Sequence, residues 1–168
     1  MGCDIHMYVE YKPRASHDSD WRNGDYFLLD DPLSFTSKIN HVALYGERNY
    51  PLFAILADVR NYNYLDPIDI PRGLPSDVTD YVKHEYDAWG IDAHSCSYFT
   101  LKELIEHHDE ECPRDPFGRD ILEPLLKELM RRADELHLIW DFEWNNQSTR
   151  DAVLDKAAYI RIVFWFDN

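Results

Sequence analysis

The stretch Cys3-Asp4-Ile5-His6-Met7-Tyr8-Val9-Glu10-Tyr11 alternates without a break. Cys3, Ile5, Met7 and Val9 fall on one side of an extended chain, and Asp4, His6, Tyr8 and Glu10 on the other. A period of two means a β-strand, here with one apolar and one polar face. The far end of the chain has the same character. From Tyr159 to Phe166, Ile160, Ile162, Phe164 and Phe166 share one face, while Tyr159, Arg161, Val163 and Trp165 share the other. Another strand is expected from Leu136 to Trp144, and a short one over Tyr26-Phe27-Leu28-Leu29.

Helical signals fill the interval. Pro51 suits a first helical turn before the apolar run Leu52 to Ala57. Ser76 is the expected N-cap of a helix that turns Val78, Tyr81, Val82 and Trp89 inward and closes at Gly90. Thr100 with Glu103 forms a capping-box pattern for a short helix ending near His108. Asp120 with Glu123 repeats it ahead of a stripe through Leu122, Leu125, Leu126, Leu129 and Ala133, with Pro124 tolerated in the first turn. Strands at both ends with helices between give an α+β class. The expected architecture is one domain over 1–168, a mostly antiparallel sheet holding the N- and C-terminal strands, with three to four helices packed on it.

Composition narrows the function. Among 168 residues, 17 Lys+Arg stand against 32 Asp+Glu, a formal net charge of -15. Duplex nucleic acid and anionic membranes are therefore poor partners, because both are held by neutralising phosphates with Lys and Arg. A small anion remains compatible, since a few converging arginines make a local positive pocket. No apolar run reaches the roughly 18 residues that span a bilayer. The N-terminus lacks the basic and apolar regions of a signal peptide, and His6 stands where a myristoylation motif carries Ser or Thr. Cys3, Cys96 and Cys112 make no CxxC pair, which favours a reducing cytoplasm over a disulfide framework.

Three groups of residues could carry chemistry. Asp4 and His6, two apart on a strand, have Cα atoms roughly 6.5 Å apart on one face. They can share one ligand, form an acid/base pair, or hold Zn, Mn or Fe. The plainer alternative is a solvated edge strand with His6 paired to a carboxylate. Asp92-Ala93-His94 repeats the Asp-x-His spacing on an expected loop, and a divalent metal held by Asp4, His6 and His94 follows if folding brings them together. Arg48, Arg60 and Arg72 all sit beside turn residues, where a guanidinium can grip a phosphate in two-pronged fashion. The alternative is pairing with internal carboxylates. His107-His108 is expected to be a solvated helix end, favoured there by the helix dipole. The aromatics Trp140, Phe142, Trp144, Trp165 and Phe166 are expected in the core. Walker A, GxGxxG, GxSxG and HExxH motifs are absent.

The segments Gly2-Cys3-Asp4-Ile5-His6, Arg48-Asn49-Tyr50, Ala57-Asp58-Val59-Arg60, Pro71-Arg72-Gly73-Leu74-Pro75, Asp92-Ala93-His94-Ser95 and Val163 to Asn168 together resemble an uncharacterised family of bacterial and bacteriophage proteins. That resemblance spans the chain and implies a bacterial or phage cytoplasmic setting. It directs attention to Asp4, His6, Arg48, Asp58, Arg60, Asp92 and His94 as a group, with no reaction attached. The leading expectation is a metal-dependent hydrolase of a small phosphorylated molecule, such as a nucleotide or cyclic-nucleotide signal. Asp4, His6, Asp58, Asp92 and His94 supply the catalytic groups, and Arg48, Arg60, Arg72 and Tyr50 the ligand contacts. The alternatives are a phage anti-defence protein that sequesters such a signal, or a structural domain that uses its acidic surface. A homo-oligomer is left open.

Overall fold

The computed structural model describes residues 2–111, 116–136, 138 and 147–168. The two terminal strands are neighbours. β1 (Ile5–Tyr11) and β6 (Ile160–Phe166) pair antiparallel from Ile5↔Phe166 to Tyr11↔Ile160. A two-residue strand β2 (Arg22–Asn23) flanks β1, and β5 (His94–Thr100) flanks β6, giving the order β2-β1-β6-β5. Every residue of β6 is buried, as a central strand covered on both faces requires. A separate antiparallel hairpin joins β3 (Tyr26–Leu29) to β4 (Ile39–Val42).

One face of the sheet presents Ile5, Met7, Val9, Phe99, Ile162, Phe164 and Phe166. Four helices supply the other side of that core: α1 (Tyr50–Ala57), α3 (Leu101–Glu111), α4 (Pro116–Glu135) and α5 (Gln147–Ala157). The opposite face carries Tyr8, Cys96, Val163 and Trp165, covered by Val82, Tyr81 and Trp89 of α2 (Asp80–Trp89) together with Leu74 and Val78. The polar face of β1 is thus covered by a second core around Tyr8, while β2 flanks β1 only at Glu10 and Tyr11 and leaves Asp4 and His6 at the open end.

Glu10 is buried because it is fully satisfied. Its carboxylate accepts from Arg161 Nε at 2.8 Å and from the backbone N–H of Thr79 at 2.7 Å. Arg161 also donates to Asp77 at 2.8 Å and lies under the Trp21 ring, 3.9 Å from its centre. This network pins the start of α2 to the sheet.

The helix signals are borne out with three shifts. Asn49 caps α1 by accepting from Leu52 N–H at 3.1 Å, with Pro51 in the first turn. Thr100 and Glu103 close the capping box of α3 in both directions, at 3.2 and 2.8 Å. α2, however, starts at Thr79, which Glu10 recruits from the sheet, so Ser76 is not its cap. α4 starts at Pro116, which places Asp120 and Pro124 inside it. Pro124 lies on the exposed side, where water can satisfy the carbonyl it leaves unpaired. α3 runs past His108 to Glu111, and His108 is mostly buried rather than solvated.

β5 replaces the loop expected around His94. It carries a register irregularity between His94 and Ser97, with Ser95 in the left-handed region at φ 51°. The strand expected from Leu136 to Trp144 falls almost wholly outside the described residues, as do Trp140, Phe142 and Trp144; Leu136 itself sits in a turn. Trp165 and Phe166 are core. No helix among the described residues is long and apolar enough to cross a membrane.

Candidate functional site

Where β1 begins and β6 ends, the chain termini lock together. Beyond the last ladder pair, Asp167 N–H donates to Asp4 O at 3.1 Å, and Asp4 N–H donates to Asp167 Oδ1 at 3.1 Å. The second oxygen of Asp167 lies 3.1 Å from His6 Nε2. A carboxylate only accepts, so this contact calls for a proton on His6 Nε2, and in the neutral ring Nδ1 is then the acceptor. Trp89 holds the imidazole from the α2 side with ring centres 4.1 Å apart, and Trp165 lies behind it at 5.9 Å.

Asp4 points outward and binds Arg48 in two-pronged fashion, Nε to Oδ1 at 2.5 Å and an Nη to Oδ2 at 2.8 Å. Hydrogen bonding from Arg48 holds the Asp4 carboxyl below its ordinary value, and Asp4 raises Arg48 in return. Gly2 makes room for this pair, since a Cβ there would stand 2.4 Å from an Arg48 Nη.

Arg60 arrives by a different route. α1 ends on Asp58 at φ 57°, and Arg60 follows at φ 52°. Two non-glycine residues in the left-handed region cost about 1–2 kcal/mol each. The resulting turn brings the Arg60 guanidinium back to Asn168 Oδ1 at 3.2 Å. Tyr62 and the Cys3 thiol also interact with it and favour its charged form. Burial pushes the Cys3 thiol up against the pull of Arg60, so Cys3 is a poor nucleophile. Beside Arg60 opens a cleft of about 180 Å³ walled by Tyr50, Pro51, Ala54, Tyr62 and Asn63.

No protein-family model, curated protein or solved structure matches the chain. The corner therefore has to be read from its own residues. Asp4, His6, Arg48, Arg60 and Tyr50, all expected from the sequence, gather around the termini. Asp167, Asn168, Tyr62 and Trp89 were not expected. The signal for Asp167 was its position one step past the strand that pairs with β1.

The remaining expected residues lie outside this group. His94 pairs with Phe166, whose ring it stacks on at 6.0 Å. Phe166 also pairs with Ile5. Cross-strand partners share a face, so His94 lies on the α1–α3–α4 side and His6 on the α2 side. The sheet separates them, and Asp4, His6 and His94 do not form one ligand set. Among the described residues no three His, Cys, Asp or Glu side chains are placed to hold a metal ion. Asp92 is exposed on the 3-10 turn Gly90–Asp92. Asp58 ends α1 and accepts from Asn61 at 2.7 Å. Arg72 is occupied structurally: it donates to Asp69 at 3.0 Å and Glu103 at 2.7 Å, and Arg72–Gly73 covers the outer edge of β5.

Larger clefts lie elsewhere on the chain. One of about 460 Å³ between α3 and α4 is lined by His108, Asp109, Arg119, Glu123, Leu126 and Lys127, and its Lys127 is already held by Glu123 at 2.6 Å. Burial, aided by Arg119, lowers the His108 pKa. Another, of about 490 Å³, is an open surface beside Arg14, Lys102 and Lys156. The α3–α4 cleft also sets an imidazole beside a carboxylate, His108 Nδ1 lying 3.4 Å from Asp109, with Arg119 in its lining; the corner differs in bringing two arginines, Arg48 and Arg60, to one end of the sheet.

Proposed function

We propose that the corner at the joined termini binds a small phosphate-bearing, nucleotide-like anion and hydrolyses it. The observation that carries this reading is convergence. Asp4 with Arg48 and His6 with Asp167 meet where β1 and β6 join, and Arg60 reaches the adjacent Asn168 from the α1 side, so imidazole, carboxylates and guanidiniums from four segments border one end of the sheet.

His6 Nδ1 takes a proton from an attacking water as the water oxygen bonds to phosphorus; the bond from phosphorus to the ester oxygen breaks, that oxygen takes a proton from solvent, and His6 returns its own proton to solvent. Asp167 is the positioning residue that fixes the His6 tautomer. Arg60 and Arg48 hold phosphate oxygens and stabilise the charge that builds on them. Arg48 can be recruited because the Asp4–Arg48 pair is exposed and screened by solvent, so a dianionic phosphate competes with the single carboxylate. The exposed Tyr62 ring, which packs edge-on against Tyr50 with centres 6.2 Å apart, offers a face on which a planar base can stack. A divalent metal would be held by Asp4, His6 Nδ1 and the phosphate oxygens, at the expense of the Asp4–Arg48 pair and in place of the general-base role of His6.

Sequestration of the same ligand class is the second reading. It is favoured by the aromatic walls of the cleft and by the absence of an activated nucleophile at Cys3. Incubation with a panel of nucleotides and cyclic nucleotides, with and without chelator, separates the two by mass spectrometry. Hydrolysis gives a product of changed mass, heavier by one water from a cyclic nucleotide and lighter by the departing phosphate from a linear one, and that product disappears in His6→Ala. Sequestration returns unchanged ligand from the denatured protein. Loss of turnover on chelation makes the chemistry metal-assisted, and no retained or altered ligand refutes both readings.

A further inference from the structure

We propose that the β3–β4 hairpin is an arm through which two copies of this chain associate. Its root is fixed. Gly24 N–H donates to Val9 O at 2.7 Å, and the fully buried Asp25 carboxylate accepts from Val9 N–H at 3.0 Å. His41 of β4 lies 3.1 Å from that carboxylate and stacks on Tyr8 with ring centres 4.6 Å apart. The Arg132 guanidinium donates to Gly24 O at 2.6 Å and packs on the Tyr26 ring, 3.6 Å from its centre. The hairpin therefore leaves the body in one defined direction.

Beyond that root its apolar side chains face water. Leu28 is 62% exposed, Ile39 69% and Leu33 93%, and Phe35 is fully exposed. Tyr26, Phe27 and Leu29 are each more than two-fifths exposed. A two-stranded hairpin is marginal by itself in water, and such a surface is one that soluble chains cover. Among the described residues neither β3 nor β4 pairs with any other strand.

Three observations favour a second copy as the covering partner. The seven side chains expose roughly 900 Å², on the scale of the ~800 Å² that each partner contributes to a standard interface. Their charge is low: between Tyr26 and Val42 stand only Asp30, Asp31 and Lys38, in a chain whose net charge is -15. Two like-charged copies repel least where their charge is thinnest, whereas a basic partner would be drawn to the acidic surface elsewhere. An antiparallel hairpin with free edges is also self-complementary about a two-fold axis, since edge-to-edge pairing makes a closed four-stranded antiparallel sheet.

Sedimentation equilibrium of the full chain over about 1–100 μM tests this directly. The expected species is a dimer of twice the 20.0 kDa chain mass. Leu33→Glu/Phe35→Glu should weaken it at least about 100-fold, while Ile91→Glu, at an exposed apolar residue outside the arm, should leave it unchanged. A wild type that stays monomeric overturns the proposal. So does a dimer indifferent to the arm substitutions, one equally sensitive to Ile91→Glu, or an open-ended series of oligomers. If the double variant does not fold, amide hydrogen exchange of the wild type decides. Residues 26–42 must gain protection as concentration rises, and equal exchange at high and low concentration overturns the proposal.

Discussion

Replacing Asp167 with Asn exchanges one carboxylate oxygen for an amide nitrogen and changes almost no volume. The amide oxygen can keep the 3.1 Å bond from Asp4 N–H. The amide nitrogen then takes the place of the oxygen that faces His6 Nε2 at 3.1 Å. A donor now meets Nε2, so the imidazole proton has to move to Nδ1, the atom assigned to accept a proton from water. The stability cost is one partly buried charge-assisted bond exchanged for a neutral one, about 1 kcal/mol. The effect on turnover is far larger. An imidazole held in the wrong tautomer loses general-base assistance, worth about 10²–10⁴ in rate. Long-range ¹H–¹⁵N correlation spectra report the tautomer of His6 without any substrate. The expected spectra show Nε2–H in the wild type and Nδ1–H in Asp167→Asn, with urea midpoints close together. If His6 already carries its proton on Nδ1 in the wild type, or the tautomer ignores the substitution, the positioning role of Asp167 is wrong.

Other perturbations probe the parts that support the corner. Arg161→Met leaves the Glu10 carboxylate buried without its counter-charge and should cost about 3–5 kcal/mol in urea unfolding; adding Glu10→Met should recover part of that loss, and strict additivity would contradict the coupling. Gly2→Ala drives a methyl into the Arg48 guanidinium, so nucleotide affinity should fall by up to about tenfold while the melting temperature shifts little. His108 has a folded pKa below its unfolded value near 6.5. Its contribution to stability is therefore complete above that value and is lost as pH falls below it, at up to about 1.4 kcal/mol per pH unit. His108→Gln should flatten the melting-temperature profile between about pH 6.5 and 5, and an unchanged slope would assign the acid sensitivity to other groups.

The sequence made the frame of this fold legible because the frame is built from strict alternation and local capping. β1, β6, α1 and the Thr100–Glu103 box all announce themselves within a dozen residues. β5 did not, because His94 to Thr100 is rich in Ser, Cys and Thr and is broken by the left-handed Ser95, so it resembles a loop. The start of α2 was misplaced because the cap was chosen by Glu10, a residue 69 positions away. The site follows the same division. Asp4 and His6 stood out as neighbours on one strand, and Arg48 and Arg60 as guanidiniums next to turns. The Asp167–His6 contact spans 161 positions and exists only through the β1–β6 register, which no local pattern reveals. His94 was misjudged for a related reason: the irregularity in β5 sets its facing, and with it the side of the sheet on which it lies.

The most direct test of the nucleotide-binding corner is an NMR titration of the ¹⁵N-labelled chain with a panel of nucleotides and cyclic nucleotides, following the Arg Nε–H and His side-chain signals. The expected result is a saturable shift of Arg48, Arg60 and His6 with at least one ligand, while Arg72 and Arg161, both held in internal pairs, stay in place. Saturable shifts confined to Arg119 and His108 in the α3–α4 cleft, or no saturable shift with any ligand, would contradict it.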